Sequence, residues 1–358
     1  MIMKQILKVA FGLSGIFSPF CAYGEETYSG VEAFSDWDKL KVPGAKCGDG
    51  QPYQAYVKKS NPQKWIVELQ GGGACWNRST CWGPTPLTFI HPIPSALLAK
   101  YLIKKNQTTL DLSDHSYLYL PYCTGDVHVG THSTRYGGLP VHHVGHTNVE
   151  QSLDYLQQKG MVEWNKVENT VLLGSSAGAI GALFHIESLE KRLPLNSQKS
   201  LIADAPGLHF GDRFWDRWSV ELMKDFQDGF QSIGLDFQES NGMVASQMKH
   251  YCSRYSSWRI AFLQGTKDIV MSALFGTVAP DEHEKLVLGS GGILKTTEDP
   301  SDTCRSWVKK TYQHTFLESV LSSFQRKMRD LQLAESSLGK FVSETIKKGV
   351  GENEVLLQ

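Results

Sequence analysis

The chain lacks a charge imbalance: 36 Lys and Arg stand against 37 Asp and Glu in 358 residues, a formal net charge of −1. That balance gives no electrostatic basis for binding nucleic acid or an anionic surface. Beyond the N-terminus no stretch approaches the roughly 18 apolar residues of a spanning helix, so stable membrane insertion is not expected. No Cys-x-x-Cys occurs, which removes a common zinc-ligand spacing. The histidines His128, His132, His142, His143 and His146 are interleaved with glycines, without a helical His-x-x-x-His pair or a nearby carboxylate cluster. They read as a pocket-lining loop, and no metal or organic cofactor is expected. Asp126, just ahead of them, reads as the residue that orders that loop. There is also no internal repeat and no low-complexity tract.

What the chain does have is 41% hydrophobic residues, enough for one large core. Residues 1–24 combine Lys4 and Lys8, no acid, a short apolar run Val9–Phe17 and the close Ala22-Tyr23-Gly24. This is the pattern of a secretory signal peptide. The expectation is therefore a secreted or periplasmic protein with one domain over 25–358. Outside the leader lie six cysteines, Cys47, Cys75, Cys81, Cys123, Cys252 and Cys304, and an even count in an exported chain favours disulfides. Cys75 and Cys81 share one loop and form the first expected pair; the pairing of the other four is open.

Short apolar runs alternate with longer periodic stretches, the pattern of a mostly parallel central sheet flanked by helices. Trp65–Leu69, Ser116–Pro121, Thr170–Leu173, Ser200–Ala203 and Arg259–Gln264 read as strands. Asn148–Gln158, Ala177–Arg192, Gln238–His250 and Ser306–Arg329 read as helices, and Lys347–Glu354 as a frayed, solvated end. Residues 206–255 hold Phe210, Phe214, Trp215, Trp218, Phe226, Phe230 and Phe237 among charges. They read as an amphipathic helical pair that buries aromatics and caps the sheet.

One segment carries chemistry on its face. Thr170-Val171-Leu172-Leu173 runs into Gly174-Ser175-Ser176-Ala177-Gly178, a strand followed by a Gly-x-Ser-x-Gly turn and a helix rich in small residues. This is a nucleophile elbow, in which a strained turn lifts one serine above the sheet. Ser176 is the candidate nucleophile, and Ser175 reads as a turn hydroxyl. Attack on an acyl carbonyl also needs donors for the oxygen that becomes charged, and a base for the serine proton. The strand Trp65–Leu69 ends in Gly71-Gly72-Gly73, a loop whose backbone N–H groups can serve as donors; with the N–H of Ala177 after the nucleophile, Gly72 and Gly73 are the candidate oxyanion hole. No Lys-Ser/Thr pair follows the glycines, which argues against a phosphate cradle.

The order nucleophile, acid, base requires the remaining two residues downstream. Asp268 follows the strand Arg259–Gln264 and is the candidate acid; Asp204 fits that order less well. The histidines beyond it are His283 and His314. His283 lies among Asp281, Glu282, Glu284 and Lys285 and reads as a surface loop, whereas His314 sits between Tyr312 and Phe316 and is the preferred base.

Leu69-Gln70-Gly71-Gly72-Gly73-Ala74-Cys75-Trp76-Asn77-Arg78 with Cys81, Tyr122-Cys123-Thr124-Gly125-Asp126, the elbow, Ala203-Asp204-Ala205-Pro206-Gly207 and the late Asp268 and His314 together resemble the pectin acetylesterase and Notum family, over about residues 40 to 320. The resemblance implies an α/β-hydrolase fold and a secreted serine carboxylesterase. It gives Ser176, Asp268 and His314 the triad roles, Gly72, Gly73 and Ala177 the oxyanion hole, and Cys75–Cys81 a disulfide beside the oxyanion loop. The implied substrate is an acylated polysaccharide or a small ester. A lipid deacylase, an amidase or protease with the same triad, and a catalytically silent carbohydrate- or lipid-binding scaffold are the alternatives. Two positions depart from the family pattern: Ala74 stands where an aromatic is common, and Ala205-Pro206 where a small residue and glycine are usual.

Overall fold

The computed structural model describes residues 37–83, 88, 90–92, 112–210, 212–237, 239–240, 242–299, 303–317, 337–348 and 352–357; the expected leader 1–24 lies outside them. Its strands are β1 Asp38–Lys46, β2 Pro52–Lys58, β3 Asn61–Leu69, β4 His115–Leu120, β5 His132–Tyr136, β6 Leu139–His143, β7 Asn169–Ser175, β8 Gln198–Asp204, β9 Trp258–Gly265, β10 Cys304–Lys309 and β11 Glu354–Leu356. Nine of them form one sheet in the order β1-β2-β4-β3-β7-β8-β9-β10-β11. Only the β1–β2 and β2–β4 pairings are antiparallel. From β4 onward every neighbour is parallel.

A parallel sheet must be covered on both faces, and the central strands show why this one is. Along β7, Leu172 enters one core while Val171 and Leu173 enter the other. Along β3, Trp65, Val67 and Leu69 point to the first core and Ile66 to the second. The helix Ala177–Glu190 packs on β7, β8 and β3, and Gly145–Gln158 on β1; Ser337–Lys348 packs against β9 and β8. Active-site loops of such sheets gather at the carboxyl ends of the strands. The turns after β3, β7, β8 and β9 all leave from that end.

Three expectations need correction. Ser306–Arg329 is not helical where it is described: residues 306–309 belong to β10, whose Trp307 and Val308 are buried between β9 and β11, and 318–336 lie outside the described residues. A strand buried on both faces shows no clean alternation, which hides it from periodicity. Gln238–His250 gives only a short turn Val244–Gln247 and a helix Met248–Arg254, because Gly242 takes a φ of +80° just before them. Lys347–Glu354, expected as a frayed end, is ordered where it is described: Lys347 and Lys348 close the helix Ser337–Lys348, Asn353 accepts the Ser306 N–H, and Glu354 begins β11, which pairs with β10; 349–351 lie outside the described residues. Ahead of β3, β1 and β2 form an antiparallel hairpin.

Candidate active site

The turn after β7 places Ser176 at φ +56° and ψ −123°, a region that non-glycine residues avoid. Close packing makes that strain sustainable. The Ser176 N–H donates to the Asp204 carbonyl at 2.8 Å. A Cβ on Gly174 would meet the Gly178 carbonyl oxygen at 2.1 Å, so only glycine fits at the turn.

Asp268 and His314 arrive on the turns that follow β9 and β10. Asp268 is fully buried, and its Oδ1 accepts the Val270 and Met271 N–H groups at 3.0 Å each. Its Oδ2 lies 2.8 Å from His314 Nδ1, and His314 Nε2 lies 2.8 Å from Ser176 Oγ. With Nδ1–H donating to Asp268, Nε2 is left to accept the hydroxyl proton. The structure therefore brings Ser176, His314 and Asp268 into one hydrogen-bonded line.

The glycine loop is held from beneath by a segment that sequence reading treated as separate. His128 Nε2–H donates to the Gln70 carbonyl at 2.9 Å, the Gln70 amide oxygen accepts the Tyr122 N–H at 3.1 Å, and the Tyr122 hydroxyl donates to the Gly73 carbonyl at 2.9 Å. Gly73 sits at φ +76°. Gly73 and Ala177 line a pocket with Ser176, and Gly72 stands one residue back on the loop. Asp126, buried, accepts from Thr124 Oγ1, His128 N–H and Gly145 N–H, so it orders this support as its sequence position indicated.

The histidine-rich region resolves into individually bonded side chains. His143 Nδ1–H donates to the Thr124 carbonyl and its Nε2 meets the Tyr136 hydroxyl; His132 pairs with Asp225; the His146 ring stacks on His185. Burial pushes the pKa of His128, His143 and His146 down to about 4, so all three are neutral near pH 7. Far from being a loop, His132 and His143 lie on the β5–β6 hairpin. One His143 nitrogen and the sulfurs of Cys75 and Cys81 lie within 4.8 Å of one another, but those sulfurs are joined to each other.

His283 is a correction. It lies fully buried on the helix Pro280–Leu288, where its Nδ1–H donates to the Thr266 carbonyl at 2.8 Å. Asp281, Glu282 and Lys285 take the outer face of that helix, so a charged neighbourhood in sequence coexists with a buried ring. It supports the turn that carries Asp268.

Above Ser176 the residues between β8 and β9 supply Phe210, Phe214, Trp215, Trp218 and Phe226 to the pocket wall, joined by Ile180, Met271 and Phe275. The Phe210 and Phe214 rings stack at 3.8 Å. Arg217 lies against the Phe214 and Trp76 rings and donates to the Phe275 carbonyl at 2.8 Å, tying this wall to the segment after Asp268. Ala74 lines the pocket where an aromatic would have filled it.

The family model described as Pectinacetylesterase matches residues 37–257, from β1 to the residue before β9. This chain belongs to the pectinacetylesterase family. Among pectinacetylesterase relatives it is similar to the palmitoleoyl-protein carboxylesterase NOTUM of Schmidtea mediterranea, at 29% identity over 157 residues, 41% of this chain and 29% of that protein. It is also similar to pectin acetylesterase 11 of Arabidopsis thaliana, at 28% identity over 178 residues, 45% of this chain and 42% of that protein. The chain thus matches less than half the length of these curated relatives. The structure of the Wnt deacylase Notum from Drosophila shares the fold, with a TM-score of 0.50 and 18% identity, covering 89% of this chain and 96% of that one. The fold is that of an α/β-hydrolase.

Three disulfides brace this family member: Cys75–Cys81, as expected, and Cys47–Cys123 and Cys252–Cys304, which sequence had left open. Cys75–Cys81 closes the loop directly after the triple glycine. Among the described residues no helix is long and apolar enough to cross a membrane.

Proposed function

We propose that this chain is a serine carboxylesterase that hydrolyses a short-acyl ester, foremost an acetyl group on a polysaccharide hydroxyl, through an acyl-Ser176 intermediate. The observation that carries the reading is the 2.8 Å relay from Ser176 through His314 to a buried Asp268, opening on an apolar pocket. His314 Nε2 takes the hydroxyl proton as Oγ bonds to the carbonyl carbon. The oxygen that becomes negative faces the N–H groups of Gly72, Gly73 and Ala177. His314 then returns the proton to the leaving alcohol; in the second half it takes one from the water that attacks the acyl carbon and gives it to Ser176 Oγ as the acyl–oxygen bond breaks. Asp268 holds the ring and stabilises its cationic form.

Pocket size supports a short acyl group. The free volume over Ser176 is about 30 Å³, on a measure by which one ordered water needs roughly 10–15 Å³. An acetyl methyl enters that space without moving the aromatic wall. The second reading, a longer acyl chain, is favoured by one observation: Ile180 and Trp215 line both this pocket and a neighbouring apolar cavity that reaches Met248 and Tyr251. Three disulfides support an exported, oxidising setting, secreted or periplasmic. Residues 25–358 are read as one domain, with 206–255 as its cap.

A chromogenic ester series from acetate to decanoate tests the reading. Turnover should be highest at two to four carbons and should vanish in Ser176→Ala; a maximum at long chains would favour the second reading, and full retention by Ser176→Ala would overturn both.

A further inference from the structure

Asp204 ends β8 and is fully buried. Sequence order gave it no place in the triad, yet it touches both sides of the Ser176–His314 pair. Its carboxylate accepts the Ser175 hydroxyl at 3.0 Å, the Phe316 N–H at 3.0 and 2.9 Å to its two oxygens, and the Leu317 N–H at 2.7 Å. Its own carbonyl accepts the Ser176 N–H at 2.8 Å. The residue after it, Ala205, is held at φ +54°. One side chain therefore ties the residue before the nucleophile to the two residues that follow Thr315, next to the base. It lines neither the pocket nor the relay.

We propose that Asp204 is a positioning residue of the esterase reaction: its carboxylate keeps the Ser176 elbow and the His314 loop in register, and loss of its charge loosens that register and lowers kcat. The inference rests on the reading of Ser176 and His314 as nucleophile and base. Three donors favour the charged carboxylate, but burial outweighs them and pushes its pKa up to about 6. The groups that face it are the Ser175 hydroxyl from β7, apolar Leu263 from the paired strand β9, and the N–H groups of the 314–317 loop. His314 is the titratable neighbour that acts on it, and its cationic form lowers the Asp204 pKa.

A group whose folded pKa lies above its free value binds a proton on folding, so ionised Asp204 costs stability above about pH 6. Asp204→Asn removes the charge, retains one acceptor oxygen, and turns an NH2 group toward donors it cannot pair with. The expected result at pH 8 is a kcat on aryl acetate lower by about 10- to 100-fold, with a KM within about twofold. On the acid side, the parent's kcat advantage over the variant should shrink toward unity as pH falls through about 6 and Asp204 takes up its proton. Parent-like kcat in the variant, or a parent-to-variant ratio that does not change with pH, would overturn the proposal.

If Asp204→Asn does not fold, Ser175→Ala decides the matter: loss of one donor should move the acid limb upward by about half a pH unit, and an unmoved limb overturns the proposal. Failure of the underlying reading is separate, because it shows as activity retained by Ser176→Ala.

Discussion

Gly178 packs directly beneath the Leu69 carbonyl: a Cβ built on the glycine would meet that oxygen at 2.0 Å. Leu69 ends the strand that feeds the glycine loop, and Gly178 opens the helix after Ser176, so this one contact sets how far the nucleophile stands from its proposed oxyanion donors. Gly178→Ala must force the helix away from β3. It should cost activity at least about 100-fold, since misplacement of about 1 Å is enough for that. The comparison of kcat for aryl acetate in the two proteins checks it, and near-parent turnover would count against the assignment of the donors.

The orientation of the histidine depends on Asp268. Asp268→Asn keeps the shape but presents an NH2 group to Nδ1, which favours the tautomer that protonates Nε2. Turnover should fall by about 10⁴-fold with little change in KM. Steady-state kinetics across pH 6 to 9 distinguish this from a folding defect, which would lower active-site titre instead.

Trp215 separates the pocket over Ser176 from the second apolar cavity. Trp215→Leu should join the two spaces and raise the ratio of octanoate to acetate turnover by about tenfold or more, given the worth of each accommodated methylene. An unchanged ratio would assign chain-length selection to another part of the wall.

Acid should weaken the fold itself. His128, His143 and His146 have folded pKa values pushed down to about 4 by burial, while the unfolded chain titrates them near 6.5. Their contribution is complete above that upper value and is lost as pH falls through the window between the two, because only the unfolded chain takes up the protons. Asp204 and Asp126 run the other way, because burial raises their pKa values, but His142, His209 and His283 are lowered as well and add to the three. Thermal unfolding at pH 7 and pH 5 should therefore give the lower Tm at pH 5, and an equal or higher Tm at pH 5 would contradict the burial of these rings.

The Cys47–Cys123 bridge closes a sequence separation of 76 residues and joins the residue after β1 to the loop that supports the glycines. Replacing both cysteines by serine should destabilise the fold by about 4 kcal/mol, a figure set by the length of the closed loop. Denaturant unfolding of the pair variant measures it.

Sequence made the central strands and the Ser176 elbow legible because each has a local signature, a β-branched apolar run or a turn that only small residues fit. His314 was preferable to His283 on its neighbours alone, and the preference came from apolarity near the ring; the same reasoning mistook His283, since a helix can bury one residue among four charged ones. The support of the glycine loop by Tyr122 and His128, and the bridging by Asp204, left no local trace. They join segments about 50 to 110 residues apart, and the distance is closed only by sheet order. Asp204 in Ala203-Asp204-Ala205 carried one usable signal, an acid at the end of an apolar strand with no lysine or arginine beside it. β10 escaped detection because a buried parallel strand loses the alternation that betrays exposed ones, and β11 because three half-exposed residues at the sheet edge leave too short a signal.

The central claim is that Ser176 is the nucleophile activated by His314. Reaction of the folded protein with a fluorophosphonate, followed by mass mapping of the modified peptide, tests it most directly. One label per chain is expected, on Ser176, with slow labelling in His314→Ala and none in Ser176→Ala. Labelling of a different residue that tracks the loss of esterase activity would contradict it.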